Sequence, residues 1–565
     1  MGSSWQHDCS KPKDLNTKKV LHSPDLADES WINEGKIFIL TFGLYVMNLF
    51  MTSKLDCFLE HTYFPETRDL LFEEKKLNVA RILVGLVIFW RTAKVAFAAY
   101  FYYPTDLSIL GIQCSYEAVF ALFECVLAIL LIVGAFTPLI LASIILTYPF
   151  FDKSLSIATL GTDVLIFFLF GMFWINFRSR YSFDSWAEKQ KETNSLRYLV
   201  KQTYQILGEP DSKRIRRVYF LCFLCYAMVS FGAMLHHLND PHWIGGHTLS
   251  VLLTNSYLCK YYAFFQNIEV SWPNLFFLFS VSSIIAQTIF QFAMIPCLFW
   301  RWSTAFVIVH GLIFFLISAV CLQLSYLPFI ELILWGVIFW SSSLHSWALP
   351  RRRVILVTQS PSVEPQRHAL LIHETYLWLT SFLFLLSITN FPIINHYTSG
   401  FNHPKNKHLA HIGLTVPCVF NKADLEMGNR WTTIYRNTDG VRTIVPFHGN
   451  DGDRLWYLKF DILYFGNSLA WRRWSIQKPI GDIVSVDSKF VDLVKKVIYF
   501  DSRLFPPKEN TFYEVLVYEN SASDVSLPLS ERFAKKMIGN FTFTREPINK
   551  KWYYVAGSRE PTTWQ

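Results

Sequence analysis

Charge is scarce in this sequence. Asp, Glu, Lys and Arg together make up 17% of 565 residues, against about 25% in soluble globular domains. That shortage argues against a soluble enzyme, whose surface needs charge to stay solvated. A disulfide framework is also lacking. Of the ten cysteines, Cys125, Cys222, Cys225, Cys297 and Cys321 lie in apolar segments, where packing is the expected role. Cys222-x-x-Cys225 has redox spacing but no thioredoxin-like strand–helix context around it. The first 35 residues are polar and contain no apolar h-region, so a cleavable leader is not expected. Beyond Pro392 no nucleophile, metal or phosphate-loop pattern occurs.

Apolar residues are what the chain has: 52% hydrophobic, 17% aromatic, mean hydropathy +0.25. They gather into blocks long enough for a hydrocarbon core of roughly 30 Å, which takes about 20 helical residues to cross. Helices are required because lipid offers no partner to open backbone. The expected fold is a polytopic α-helical membrane bundle of about nine spans, near 78–103, 116–136, 138–151, 159–177, 217–237, 274–300, 303–321, 328–346 and 369–392. The third is short. Ile37–Met51 is shorter than a span and fits an interfacial or re-entrant helix better. Residues 1–35 then form a polar cytoplasmic segment, 36–77 an interfacial or re-entrant region, and 78–392 the transmembrane domain.

Basic residues set the orientation. The Arg178–Arg217 loop holds ten Lys and Arg against five acids, which places it in the cytoplasm. Arg351–Arg353 falls on the same side after four more crossings, as do Lys11, Lys13, Lys18 and Lys19 if Ile37–Met51 does not span. The N-terminus is then cytoplasmic, and everything beyond Pro392 is extracytoplasmic or lumenal. The net charge of +8 is mostly this topological signal, so membrane lipid is an expected partner and nucleic acid is not.

Residues 393–565 are polar and broken by Pro and Gly, and read as a small extramembrane α+β domain. Trp431–Tyr435, Asn437-Thr-Asp-Gly440 and Val441–Phe447 predict a hairpin whose Asp-Gly supplies positive φ. Phe512–Tyr518 and Trp552–Val555 are further expected strands, and Phe460–Trp474 and Val491–Phe500 have helical periodicity. Asn540-Phe-Thr542 is a glycosylation sequon. A Cys259–Cys418 bridge is open on the outer side.

Met234-Leu-His-His-Leu-Asn-Asp-Pro-His-Trp243 places two histidines where a span leaves the bilayer, and ionisable groups at membrane depth are costly. Base, metal and helix-end readings are all open for them. His236, Asp240, His242 and His247 are candidate metal ligands, but adjacent helical residues point about 100° apart and no His-x-x-x-His spacing occurs. No metal site is therefore expected. Within the bundle the informative polar residues are Arg91, Lys94, Glu124, Asp163, Gln287, Gln291, His310 and Glu331. Arg91 with Glu124 is the cheapest pairing. Trp174, Trp300 and Trp340 fit an interfacial aromatic belt.

Several fragments, in order, carry a resemblance covering about Asn78 to Trp474. Asn78-Val-Ala-Arg-Ile-Leu-Val-Gly85, Val133-Gly-Ala-Phe-Thr-Pro138, Gly161-Thr-Asp163 with Arg178-Ser-Arg-Tyr-Ser-Phe-Asp184, Leu238-Asn-Asp-Pro-His-Trp243 and His310 resemble motifs of the vitamin K-dependent gamma-carboxylase-like class, the HTTM (horizontally transferred transmembrane) domain proteins. The resemblance implies a bundle in which a lysine just before the Leu-Asn-x-Pro-x-Trp loop deprotonates a reduced quinone of vitamin K type. Here that position holds His237. A neutral imidazole, with an ordinary pKa near 6.5, accepts a proton at pH 7 but is a weaker base than a free amine.

The catalytic candidates are His237 and His310. Trp243, Gln291, Arg91 and Glu124 are candidates for binding substrate or a quinone cofactor. Two functions stay open: an enzyme of the carboxylase-like, quinone-oxygenating type acting on a lipophilic quinone or lipid, and a non-catalytic HTTM membrane factor that processes, exports or binds a secreted peptide or protein through its C-terminal domain.

Overall fold

The computed structural model describes residues 55–67, 69–102, 107–109, 112–114, 116–154, 160–177, 181–190, 195–205, 210–238, 240–256, 258–340, 429–445, 488–545 and 552–558. Ile37–Met51, Arg351–Arg353, the expected ninth span at 369–392, Cys418 and the helical pattern at Phe460–Trp474 lie outside them. The described chain is mostly helical, with a small antiparallel sheet near its C-terminus.

Its first helices are α1 (Leu70–Tyr102), α2 (Tyr116–Val133), α3 (Thr137–Ser154) and α4 (Leu160–Ile175), with a short hairpin of β1 (Leu107–Ile109) and β2 (Ile112–Cys114) after α1. Then come α5 (Phe183–Glu188), α6 (Ser195–Gln205), α7 (Ser212–His237), α8 (Pro241–Ile244), α9 (Thr248–Thr254) and α10 (Tyr262–Ser271). The helical part closes with α11 (Pro273–Ala293), α12 (Arg301–Cys321) and α13 (Leu327–Phe339). Helices α1 to α4, α7 and α11 to α13 fall on the first eight expected apolar blocks.

Two of these helices, α11 and α12, are long and apolar enough to cross a membrane. Their outer faces are continuous hydrocarbon: Leu275, Leu278, Ile285 and Phe292 on α11, Leu312 and Leu316 on α12, each at least half exposed. A soluble surface rarely carries such a stripe. The others fall short for two reasons. Glu73, Glu74, Lys75, Lys76, Arg81, Arg91 and Lys94 load α1 with charge, whereas the apolar runs Ala118–Val133, Thr137–Tyr148, Val164–Ile175 and Leu327–Phe339 are shorter.

The helices pack around Trp335, which is 2% exposed. Phe223, Tyr226, Phe290, Phe315 and Phe339 all set their rings within 6.0 Å of it. Its indole N–H donates to the Ile308 carbonyl at 3.1 Å, so no polar atom is wasted. Gly311 makes this possible, since a Cβ there would lie 2.7 Å from the indole.

At one end of the bundle three separated fragments meet. Asp184 accepts from the amides of Phe136 (2.6 Å) and Thr137 (2.9 Å), capping α3, and from the Tyr204 hydroxyl at 2.8 Å. The Arg81 guanidinium donates to the Leu131 and Ile132 carbonyls that end α2, and to Asn78. Gly134 turns the chain between these helices at φ +72, with a Cβ-sized space already filled by Arg81 and Ser182.

The sheet runs in the order β4-β3-β5-β6-β7, all antiparallel, from β3 (Arg430–Thr438), β4 (Val441–Ile444), β5 (Phe512–Glu519), β6 (Lys536–Arg545) and β7 (Trp552–Ser558). Thr438 pairs with Val441, so Asp439 (φ 52) and Gly440 (φ 80) form the expected two-residue turn. Helix α14 (Ser488–Leu504) covers one face through Val494, Val497 and Ile498. Its buried Asp501 takes Arg436 at 2.8 Å and the Tyr513 hydroxyl at 2.6 Å. Strand β6 was not expected; its Asn540 pairs with Leu516 in mid-sheet, and the sequon amide donates to Glu514 at 3.3 Å.

Candidate functional site

Helix α7 ends at His237, and the chain doubles back at once. Asp240 caps α8 by accepting the His242 amide at 2.8 Å, with Pro241 in the first turn, where its missing N–H costs nothing. The turn lays the Trp243 indole flat on the His237 imidazole, with centroids 4.0 Å apart and planes within 5°. Both side chains are buried, His237 to 1% exposure.

The Trp243 indole N–H donates to Thr288 Oγ1 at 3.1 Å. Further along the same loop, Gly246 at φ +77 brings the backbone against α11, where Ser280 Oγ donates to its carbonyl at 2.6 Å. A Cβ at Gly246 would stand 2.5 Å from Val281. The loop is therefore seated along α11 from Ser280 to Thr288.

His310, on α12, reaches the adjacent residue of α11. Its Nε2 lies 3.0 Å from Gln287 Oε1, and its ring sits between Phe290 (5.0 Å) and Phe306 (5.2 Å). An amide oxygen only accepts, so Nε2 carries the ring proton and Nδ1 is the basic nitrogen of the neutral ring. One turn along, Gln291 Oε1 is buried with no hydrogen-bond partner. His310 thus meets α11 directly at Gln287, whereas His237 is linked to it only through Trp243, whose indole reaches Thr288.

The remaining candidates lie elsewhere. Arg91 donates to the Tyr148 hydroxyl at 3.1 Å and stacks over Tyr326 at 4.1 Å, whose own hydroxyl meets Thr162 Oγ1 at 2.8 Å. Glu124 is fully buried within α2. Glu331 accepts from Tyr226 at 2.8 Å between α7 and α13. His236 is in α7, but its side chain is outside the described residues, as is that of Asp163. His247 rests against Phe277 at 4.9 Å, and Asp240 is occupied as a cap. Among the described residues no three His, Cys, Asp or Glu converge as a metal would require.

Between α1, α4, α7 and α13 apolar side chains including Leu77, Phe168, Met172, Leu334 and Ile338 line a narrow seam with no room for a water molecule. It does not touch either histidine. The sequence reading missed Thr288 and Ser280, which anchor the loop. Their signal was available: Ser280, Gln287, Thr288 and Gln291 are polar positions in a helix without a charge, and polar side chains in such a helix need a partner. Comparison with protein-family models, with curated proteins and with solved structures finds no match to this chain.

Proposed function

We propose that this chain is a multi-pass membrane protein of the gamma-carboxylase-like, HTTM type, with about nine spans and a cytoplasmic N-terminus. It accepts a lipophilic quinone or related lipid beside α11, with His237 in the place of the class's lysine. The observation that carries this reading is that His310 and the Trp243 stacked on His237 bond neighbouring residues of α11, Gln287 and Thr288. The order of fragments along the chain supports it too: Arg81, Gly134 and Asp184, from three fragments of the resemblance, form one node.

The two histidines divide the work. His310, held by Gln287 with Nδ1 basic, accepts a proton from a hydroxyl lying between α11 and α12. His237, fixed in plane by Trp243, orients the loop and exchanges a proton at its ring edge. A reduced quinone, when bound, supplies the oxidisable ring. An imidazole deprotonates such a hydroxyl less completely than an amine, so turnover is expected to be slow.

Incubation of purified protein with reduced quinone and dioxygen, which supplies the epoxide oxygen and releases its second atom as water, following quinone epoxidation, tests this. Wild type is expected to exceed His237→Ala and His310→Ala by about 10²-fold or more, the usual worth of a positioned acid or base. Equal background in all three removes the quinone reading.

One observation favours a second reading. The indole covers a whole face of His237, as a structural staple would. A non-catalytic factor that binds or exports a secreted peptide through its C-terminal domain then keeps peptide binding in His237→Ala, and shows no epoxidation in any variant.

A further inference from the structure

Helices α2 and α3 carry a hydrocarbon stripe of their own, and it runs into the turn that joins them. On α2, Leu122, Val126, Ile129 and Val133 recur at helical spacing and are each about half exposed; on α3, Leu139 and Leu146 are more exposed still. None of these positions carries charge. Such a stripe fits lipid chains, so on the membrane reading proposed above the turn at 134–136 marks the edge of the hydrocarbon.

Helix α5 is fixed to that turn. The Asp184 amide donates to the Gly134 carbonyl at 3.1 Å, while its carboxylate takes the Phe136 and Thr137 amides. Helix α6 is fixed to α5 in its turn, since Val200 and Tyr204 bury against Ala187 and Phe183, and Arg197 Nη1 donates to the Gln190 carbonyl at 3.1 Å. With one side of each helix used for packing, Trp186, Tyr198 and Leu199 stay more than half exposed, and Lys189 and Lys201 are exposed with them. Bulk water disfavours the first three and hydrocarbon expels the lysines. A headgroup layer suits both, because a ring or a long stem there keeps its body in apolar surroundings and its polar end wet.

We propose that α5 and α6 form a platform that lies in the headgroup layer and binds anionic phospholipid, with Trp186, Tyr198 and Leu199 entering the interface and Lys189 and Lys201 taking the phosphates. The lipid stripe of α2 and α3 leads directly to this platform, and Asp184 holds it at that depth. Charge agrees as well. The Arg178–Arg217 loop has ten basic residues against five acids, and one of those acids, Asp184, is buried as a cap. The topology proposed above turns this loop to the cytoplasmic leaflet, the anionic one. The platform rests on the membrane reading and is independent of the quinone chemistry.

Hydrogen exchange of the full-length protein, one copy per nanodisc, tests this by comparing a phosphatidylcholine bilayer with one rich in phosphatidylglycerol. Protection in 195–205 is expected to be higher in the anionic bilayer by about fivefold for each lysine engaged. In about 1 M salt, where screening acts within about 3 Å, that excess should vanish. Helices α11 and α12 should be equally protected in both bilayers. Lys189→Gln combined with Lys201→Gln is expected to remove the excess and to keep wild-type protection in phosphatidylcholine. Equal wild-type protection of 195–205 in the two bilayers, with α11 and α12 protected in both, overturns the platform without any variant and leaves the membrane reading standing. An excess that inorganic phosphate reproduces in phosphatidylcholine, or that the double variant keeps, overturns it too. Protection that rises with protein concentration in neutral detergent would assign the face to a second copy of the chain, against the proposal. Unprotected α11 and α12 in either bilayer would remove the membrane reading, and the platform with it.

Discussion

Trp243 has two tasks, covering His237 and reaching Thr288, and they separate by substitution. Trp243→Phe keeps an aromatic face and loses only the N–H, so unfolding in detergent should lose about 1 kcal/mol. Trp243→Ala also opens a cavity beside a buried imidazole, and about 3–5 kcal/mol is expected. Similar losses for both would mean that the stack contributes little. Asp184 is the second sharp case. Removing its carboxylate strips the cap from α3 and the partner from Tyr204, and Asp184→Ala should cost about 2–4 kcal/mol in thermal unfolding. At this scale the sequence was informative where residue type was unusual: a His pair at a helix end and a lone His in an apolar run. It was silent on pairing, because Gln287 and Thr288 meet His310 and Trp243 only when three helices have packed.

The elements were legible where local chemistry decides them. Asp439-Gly440 closes the β3–β4 hairpin, since positive φ is a property of two residues. Strand β6 was hidden: Phe541 and Phe543 alternate with Thr542 and Thr544, but the segment was read only for its sequon. The doubling back at Asp240 was hidden for another reason. A helix stop is visible in Asp240-Pro241, whereas its direction depends on Ser280 holding the Gly246 carbonyl. Gly246→Ala puts a Cβ 2.5 Å from Val281 at φ +77, strained on both counts. Destabilisation of about 1–3 kcal/mol is expected, with the loop losing its exchange protection before α11 does. Unchanged loop protection would show that the seat on α11 does not depend on this glycine.

For the whole molecule, composition identified a helical, apolar architecture with an appended α+β module, and the described helices and sheet agree with that outline. The number of crossings is less directly visible, since among the described helices α11 and α12 alone are long and apolar enough on their own, α7 carries charge near its start and α1 carries Arg81, Arg91 and Lys94 along its length. Charge near a span end is compatible with crossing if the side chains reach the interface, and mid-span Arg91 is instead buried against Tyr148 and Tyr326. The proposed function rests on a single helix, α11, whose outer face is hydrocarbon and whose Gln287 and Thr288 hold His310 and Trp243.

The most direct measurement is therefore where a lipophilic quinone sits. A photoreactive quinone analogue, activated in nanodiscs containing the full-length protein, should label residues in 287–291 and at Trp243, be displaced by unlabelled quinone, and lose that labelling in Gln287→Leu while α12 keeps its exchange protection. Labelling spread over the outer faces of α11 and α12, without displacement, would contradict the account.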